Sequence, residues 1–302
     1  MTPPDVQEIY RQAISSQGHI SDPPITEIYS SPTVDPVSLE VNESLLHEAA
    51  EFWAPHFDGT EVRIIFVSTS DYSETWIDDF FDANPTWGSA EVIRQKINAN
   101  GCGWAYANAG SIVQCVPSPE LYDDNHRQVL PHEYTHLVQF GWDYQNRSQT
   151  IPWMVEGMAN FYGLALGVAP QTNGATIINK SLADHATQWD LYNGYPWGSF
   201  TVLSLIGGHD VEDSRLLFYR GADLWTNYLL GSLFSEWATR TIGHDNYANF
   251  VRDILRLRAQ TSDVEQTDAI CLDYFGMTRD DLSYAIAPYF EQRSIQLKAG
   301  WR

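Results

Sequence analysis

Basic residues are scarce in this chain. Of 302 residues only 17 are lysine or arginine, against 39 aspartates and glutamates, and the lysines are three: Lys96, Lys180 and Lys298. The resulting net charge of −22 repels phosphate backbones and anionic bilayers, so neither nucleic acid nor a membrane surface is an expected partner. Long apolar runs are missing as well. No stretch reaches the roughly 18–20 residues that a membrane-spanning helix needs. Met1-Thr2-Pro3-Pro4-Asp5 lacks the basic and apolar regions of a secretory signal, which predicts a cytoplasmic protein unless a signal has been removed. Cysteine is limited to Cys102, Cys115 and Cys271, whose spacing suits no thiolate metal cluster. No repeat of fixed period and no low-complexity tract occurs. What remains is a globular composition, 43% hydrophobic and 13% aromatic, in a chain long enough for one large domain or two lobes.

Pro131-His132-Glu133-Tyr134-Thr135-His136 reads H-E-x-x-H. On a helix, positions i and i+4 share a face, so His132 and His136 can aim imidazoles at one metal ion. Glu133 then points beside the metal, where a general base must stand to take a proton from water. Asp123, Asp124 and Asn125 are candidate caps upstream, and Gly141 is a candidate stop. Pro131 predicts that the regular helix begins close to it. The plainer alternative is a core helix with two satisfied histidines.

Catalytic zinc takes three protein ligands and keeps a fourth position open. Trp153-Met154-Val155-Glu156-Gly157-Met158-Ala159 supplies a candidate third ligand, Glu156, which follows His136 by 20 positions, room for a turn and a second helix. Asn160, four residues on, shares its helix face and is a candidate partner for a ligating histidine. His185, His209 and His244 lack metal spacing, and Trp87, Trp104 and Trp142 read as core.

H-E-x-x-H followed by W-x-x-E-G-x-A resembles the gluzincins, the metallopeptidase clan that contains thermolysin and the aminopeptidase-N type enzymes. Tyr228-Leu229-Leu230-Gly231, with Gly243 beyond it, is similar to their Y-x-x-G…G segment. Phe275-Gly276-Met277-Thr278 through Tyr289-Phe290 resembles the closing helices of small peptidase-MA-like domains. The resemblance covers roughly 45–292. It implies a zincin-like α+β fold, a Zn2+ ion held by His132, His136 and Glu156, Glu133 as general base, and a peptide or protein substrate. The Tyr228 hydroxyl would assist the reacting carbonyl, with Tyr219 second in line. It also implies that the strand before the metal helix, here Gly110, Ser111, Ile112 and Val113, lines the cleft and takes substrate by strand addition. Two departures matter. Asn160 stands where the thermolysin branch has aspartate. The G-x-M-E-N segment that anchors a free amino terminus is absent, which points to an endo- or oligopeptidase. A zincin-fold hydrolase of another substrate and a binding protein without turnover stay open.

Residues 1–40 read as an extension with a short helix at Val6–Ile14 and a proline-punctuated arm. Residues 41–302 read as the catalytic domain, an α/β lobe with the metal helices over 41–168 and a helical lobe over 169–302. Helices are expected at 44–57, 73–81 and 89–97, with strands at 61–68, 103–107 and 110–116. An apolar run follows at 197–206. Further helices are expected near 213–220, 223–240, 245–259, 264–274 and 278–292. A two-residue turn at Asn108-Ala109 would set Cys102 opposite Cys115, within reach of a disulfide.

Overall fold

A computed structural model describes residues 5–15, 25, 27–59, 61–108, 110–142, 152–193, 224–260 and 264–300. The fold is α+β, mostly helical with one small sheet. The chain divides into two compact units, Gly18–Gly141 and Met1–Gln17 with Trp142–Arg302. Residues 1–40 contribute to both. No helix among the described residues is long and apolar enough to cross a membrane.

The unit Gly18–Gly141 is built on four strands: β1 (Glu27–Ser30), β2 (Arg63–Val67), β3 (Trp104–Asn108) and β4 (Ser111–Cys115). Their order is β1-β2-β4-β3. β1 and β4 run parallel to β2, and β3 runs antiparallel to β4. The β-branched run Arg63-Ile64-Ile65-Phe66-Val67 suits a central strand buried on both faces. One sheet face, carrying Ile65, Val67, Val113 and Cys115, packs with Ile77 and Phe81 of helix α3 (Trp76–Ala83) and Ile93 and Ile97 of helix α4 (Ala90–Asn100). On β4, Gln114 is directed to the opposite side and donates from Nε2 to Asn42 Oδ1 of helix α2 (Pro36–Trp53) at 2.8 Å. Asp35 caps α2 and Pro36 occupies its first turn, so this helix starts eight residues earlier than the apolar pattern from Ser44 suggests. β1, unpredicted, is tied down by Asp71. Its buried carboxylate accepts from Ser31 Oγ and Thr33 Oγ1, both at 2.7 Å, and from the Ser68 amide at 2.7 Å.

The second unit is helical among its described residues: α1 (Val6–Ser15), α6 (Pro152–Gly167), α7 (Gly174–Asn193), α8 (Leu224–Ile242), α9 (His244–Gln260), α10 (Val264–Phe275) and α11 (Arg279–Gly300). Helix α5 (Val129–Gly141) belongs to the sheet unit. α6 and α8 meet at two glycines. A Cβ on Gly157 would lie 2.0 Å from Gly231 Cα, and one on Gly231 would lie 1.8 Å from the Trp153 carbonyl oxygen. Only bare backbone permits that approach. Around it pack Trp153 and Phe234, with ring centroids 5.2 Å apart. A buried ionic cluster joins four helices. Glu236 (α8) accepts from Tyr10 (α1) at 2.9 Å, from Tyr289 (α11) at 2.8 Å and from Arg293 Nε at 2.8 Å, while Arg293 Nη1 reaches Asn179 (α7) at 3.2 Å. Every charge in it is paired and hydrogen-bonded, which is the condition for burying it.

The apolar run at 197–206, the helix at 213–220, His209 and Tyr219 lie outside the described residues.

Candidate metal centre

α5 presents the H-E-x-x-H residues. A short 3₁₀ turn, Asp124–Gln128, leads into it, capped by Asp123, whose Oδ1 accepts from the Asn125 and His126 amides. Pro131 is the third helical residue, where its missing N–H removes no helical hydrogen bond. The helix is pinned from α2: Trp53 Nε1 donates to Thr135 Oγ1 at 3.1 Å, and Thr135 Oγ1 donates to the Pro131 carbonyl at 2.9 Å. The Tyr134 ring packs 6.3 Å from that of Phe57, and burial holds its phenol above the ordinary tyrosine range.

His132 and His136 converge. Their Nε2 atoms lie 3.1 Å apart, with ring planes 83° to each other. A tetrahedral ion with bonds of about 2.0–2.1 Å would hold two nitrogens about 3.3 Å apart, so the pair suits one zinc. Gln139 Oε1 accepts from His136 Nδ1 at 2.8 Å. With the proton on Nδ1, Nε2 turns its lone pair towards the shared point, as a metal ligand requires. The motif spacing singles out Asn160 as an orienting partner and passes over Gln139, although His136 and Gln139 stand at helical i,i+3 spacing.

Glu133 is held by backbone. Its Oε2 accepts from the Ala107 amide of β3 at 2.7 Å. A main-chain donor leaves no trace in residue type, so no sequence signal could have found it.

The expected substrate strand is corrected. Ser111, Ile112 and Val113 belong to β4, paired with β2 on one side and β3 on the other, and all three are buried. Gly110 precedes it in the turn. A strand with both edges satisfied has no backbone groups to offer a further strand. The edge beside β4 is β3, the strand that touches Glu133.

The hairpin register is corrected too. Gly110 takes φ 76°, and Asn108 pairs with Ser111. Trp104, not Cys102, pairs with Cys115. Gly103 (φ 103°) bends the chain and donates its amide to the Cys115 carbonyl at 2.9 Å. Cys102 thereby still reaches Cys115, and the two form a disulfide with Cα atoms 4.9 Å apart.

The remaining candidates lie in the helical unit. Glu156, half-buried on α6, sits one residue before the Gly157 contact. Asn160 is buried and donates from Nδ2 to Ser232 Oγ of α8 at 2.8 Å. Tyr228, half-buried on α8, stands three residues before Gly231. The glycines of W-x-x-E-G-x-A and Y-x-x-G are thus the two that touch, and one helix crossing fixes the backbone beside both Glu156 and Tyr228. The His185 ring of α7 lies 5.2 Å from that of Tyr228. Trp87 and Trp142 are buried as expected for core, and Trp104 is half-buried.

The chain matches no family model, no curated protein and no solved structure.

Proposed function

We propose that this protein is a zinc-dependent peptidase of gluzincin type with a zincin-like fold, cleaving internal bonds of peptides or proteins. The observation that carries the reading is the convergence of His132 and His136 Nε2 at 3.1 Å, one helix residue from a carboxylate held by a strand amide. The donor set fits zinc: two imidazoles on one helix turn, one of them fixed in the metal-binding tautomer by Gln139. Glu156 would complete it, as the gluzincin resemblance implies.

Zinc, when bound, supplies Lewis-acid polarisation of a carbonyl and acidifies water to near neutrality. Glu133 takes the proton of the attacking water and delivers it to the leaving amine. Its bond from the Ala107 amide fixes Oε2 and leaves Oε1 for that proton. The Tyr228 hydroxyl donates to the oxygen on which negative charge develops. β3, which pairs with no strand but β4 among the described residues, is the strand along which an extended peptide would lie. The net charge of −22 favours basic or neutral peptides over acidic ones.

Cleavage of a peptide library by the full chain, with and without chelator, tests the reading. Endoproteolytic cleavage that chelator abolishes, zinc restores and Glu133→Gln removes is the expected result. A metal-loaded protein that cleaves no peptide would turn the reading towards a binding protein or another substrate class.

A further inference from the structure

β3 carries two features that the hydrolytic reading does not connect. Two residues before its first, Cys102 is tied to Cys115. Further along, Ala107 donates its amide to Glu133. The tie sits in a segment whose backbone glycine shapes. Cys102 lies between Gly101 (φ 67°) and Gly103 (φ 103°), both in the left-handed region that glycine enters freely. The two residues also differ in burial. Cys115 is fully buried on β4, whereas Cys102 is half-buried.

We propose that the Cys102–Cys115 disulfide is a redox-sensitive tie that positions Glu133 through the Ala107 amide, so that reduction lowers hydrolysis without unfolding the protein. The proposal rests on the peptidase reading for its activity readout. Both cysteines would act through Ala107, so both are positioning residues. A dithiol reductant would attack Cys102 Sγ, on the less buried of the two residues, and release Cys115 as a thiolate that takes a proton from solvent. The second thiol of the reductant then displaces Cys102, giving two protein thiols and one oxidised reductant. Other anchors keep β3 in the sheet after reduction. Tyr106 donates to the Trp87 carbonyl at 3.1 Å, Asn108 donates to the Thr86 carbonyl at 3.1 Å, and Lys96 lies 5.2 Å from the Trp104 ring centroid. The strand therefore shifts and is not lost, and the expected effect is a reduction of activity, not its abolition.

The experiment compares the full chain before and after a water-soluble trialkylphosphine, which reduces the disulfide while taking one oxygen from water. Mass spectrometry after alkylation counts one thiol before and three after. Hydrogen exchange of the Ala107 amide should quicken by about tenfold or more. Turnover should fall by roughly tenfold with KM nearly unchanged, since misplacing a catalytic group by a fraction of an ångström acts on turnover. Cys102→Ser should reproduce both changes and be insensitive to phosphine. If that variant fails to fold, phosphine-treated wild type decides the matter alone. Unchanged Ala107 exchange and unchanged turnover in protein with three counted thiols would overturn the proposal. If the oxidised protein hydrolyses nothing, the peptidase reading fails, and Ala107 exchange still decides whether the disulfide holds the strand.

Discussion

In the sheet-bearing unit, Glu133 is held by a main-chain amide offered from a strand edge. In the helical unit, Glu156 and Tyr228 flank a point where two helices touch through glycine. The first arrangement depends on a hydrogen bond and on whatever fixes the strand. The second depends on the absence of side chains, and on a buried charge cluster farther along the same helix. A strand edge can shift by a fraction of an ångström at small cost. A helix crossing with backbone in contact has no such freedom. The proposed base is therefore braced by the adjustable element, and the proposed third ligand stands on the rigid one.

Four substitutions sharpen or break this contrast. The largest effect is expected at the cluster of the helical unit. Glu236→Ala leaves Arg293 buried without its counter-charge and should cost about 3–5 kcal/mol, seen in thermal or denaturant unfolding. Replacing both by apolar residues of similar size should cost much less. If Glu236→Ala is nearly neutral, the cluster is not what holds the four helices.

Tyr228→Phe comes next. It removes one hydroxyl and little volume, and turnover should fall about a hundredfold, with KM little changed and the unfolding midpoint near wild type. An equal fall in stability would assign Tyr228 to packing against His185 instead.

Gly157→Ala follows. The added methyl meets Gly231 Cα at 2.0 Å, and overpacking of this kind typically costs about 1–3 kcal/mol. It should also weaken metal binding through the neighbouring Glu156. A variant stable and active as wild type would show that the crossing is as soft as the strand edge.

The smallest effect belongs to the sheet unit. Burial pushes the Tyr106 phenol up to about 12. Its raised value contributes stability that is complete below the unfolded value of about 10 and is lost as pH rises towards 12. Tyr106→Phe should flatten the fall in stability over that window and leave neutral-pH activity almost unchanged. An unaltered pH profile would place the phenol in solvent.

The sheet unit is the more legible from sequence because its signals are local. The β-branched run at 61–68, the Gly110 hairpin and Ser89 capping α4 each lie within a few residues of what they shape. The hairpin register differs from the one a turn at Asn108-Ala109 would set: Gly110 takes the positive φ and Asn108 pairs with Ser111. The Glu133 contact is invisible in sequence because its partner is backbone. β1 is equally hidden, since four exposed residues that pair with β2, just before the Ser31 bond to Asp71, carry no alternation of their own. In the helical unit, helix positions from 224 onward follow the apolar pattern, though the last helix runs to Gly300, beyond the expected 292. Its tertiary contacts are out of reach of any local pattern. Tyr10 and Glu236 are separated by 226 residues, and nothing near either names the other. The two glycines show the intermediate case. Each stands in a motif, yet only the structure reveals that they touch.

The most direct measurement is the zinc content of the purified full chain, taken together for wild type, His136→Ala and Glu133→Gln. About one zinc per chain is expected in wild type and in Glu133→Gln, because that substitution removes a base and no ligand, and little or none in His136→Ala. Wild-type protein that carries no zinc and takes up none when it is supplied would contradict the assignment of His132, His136 and Glu156 as a metal centre.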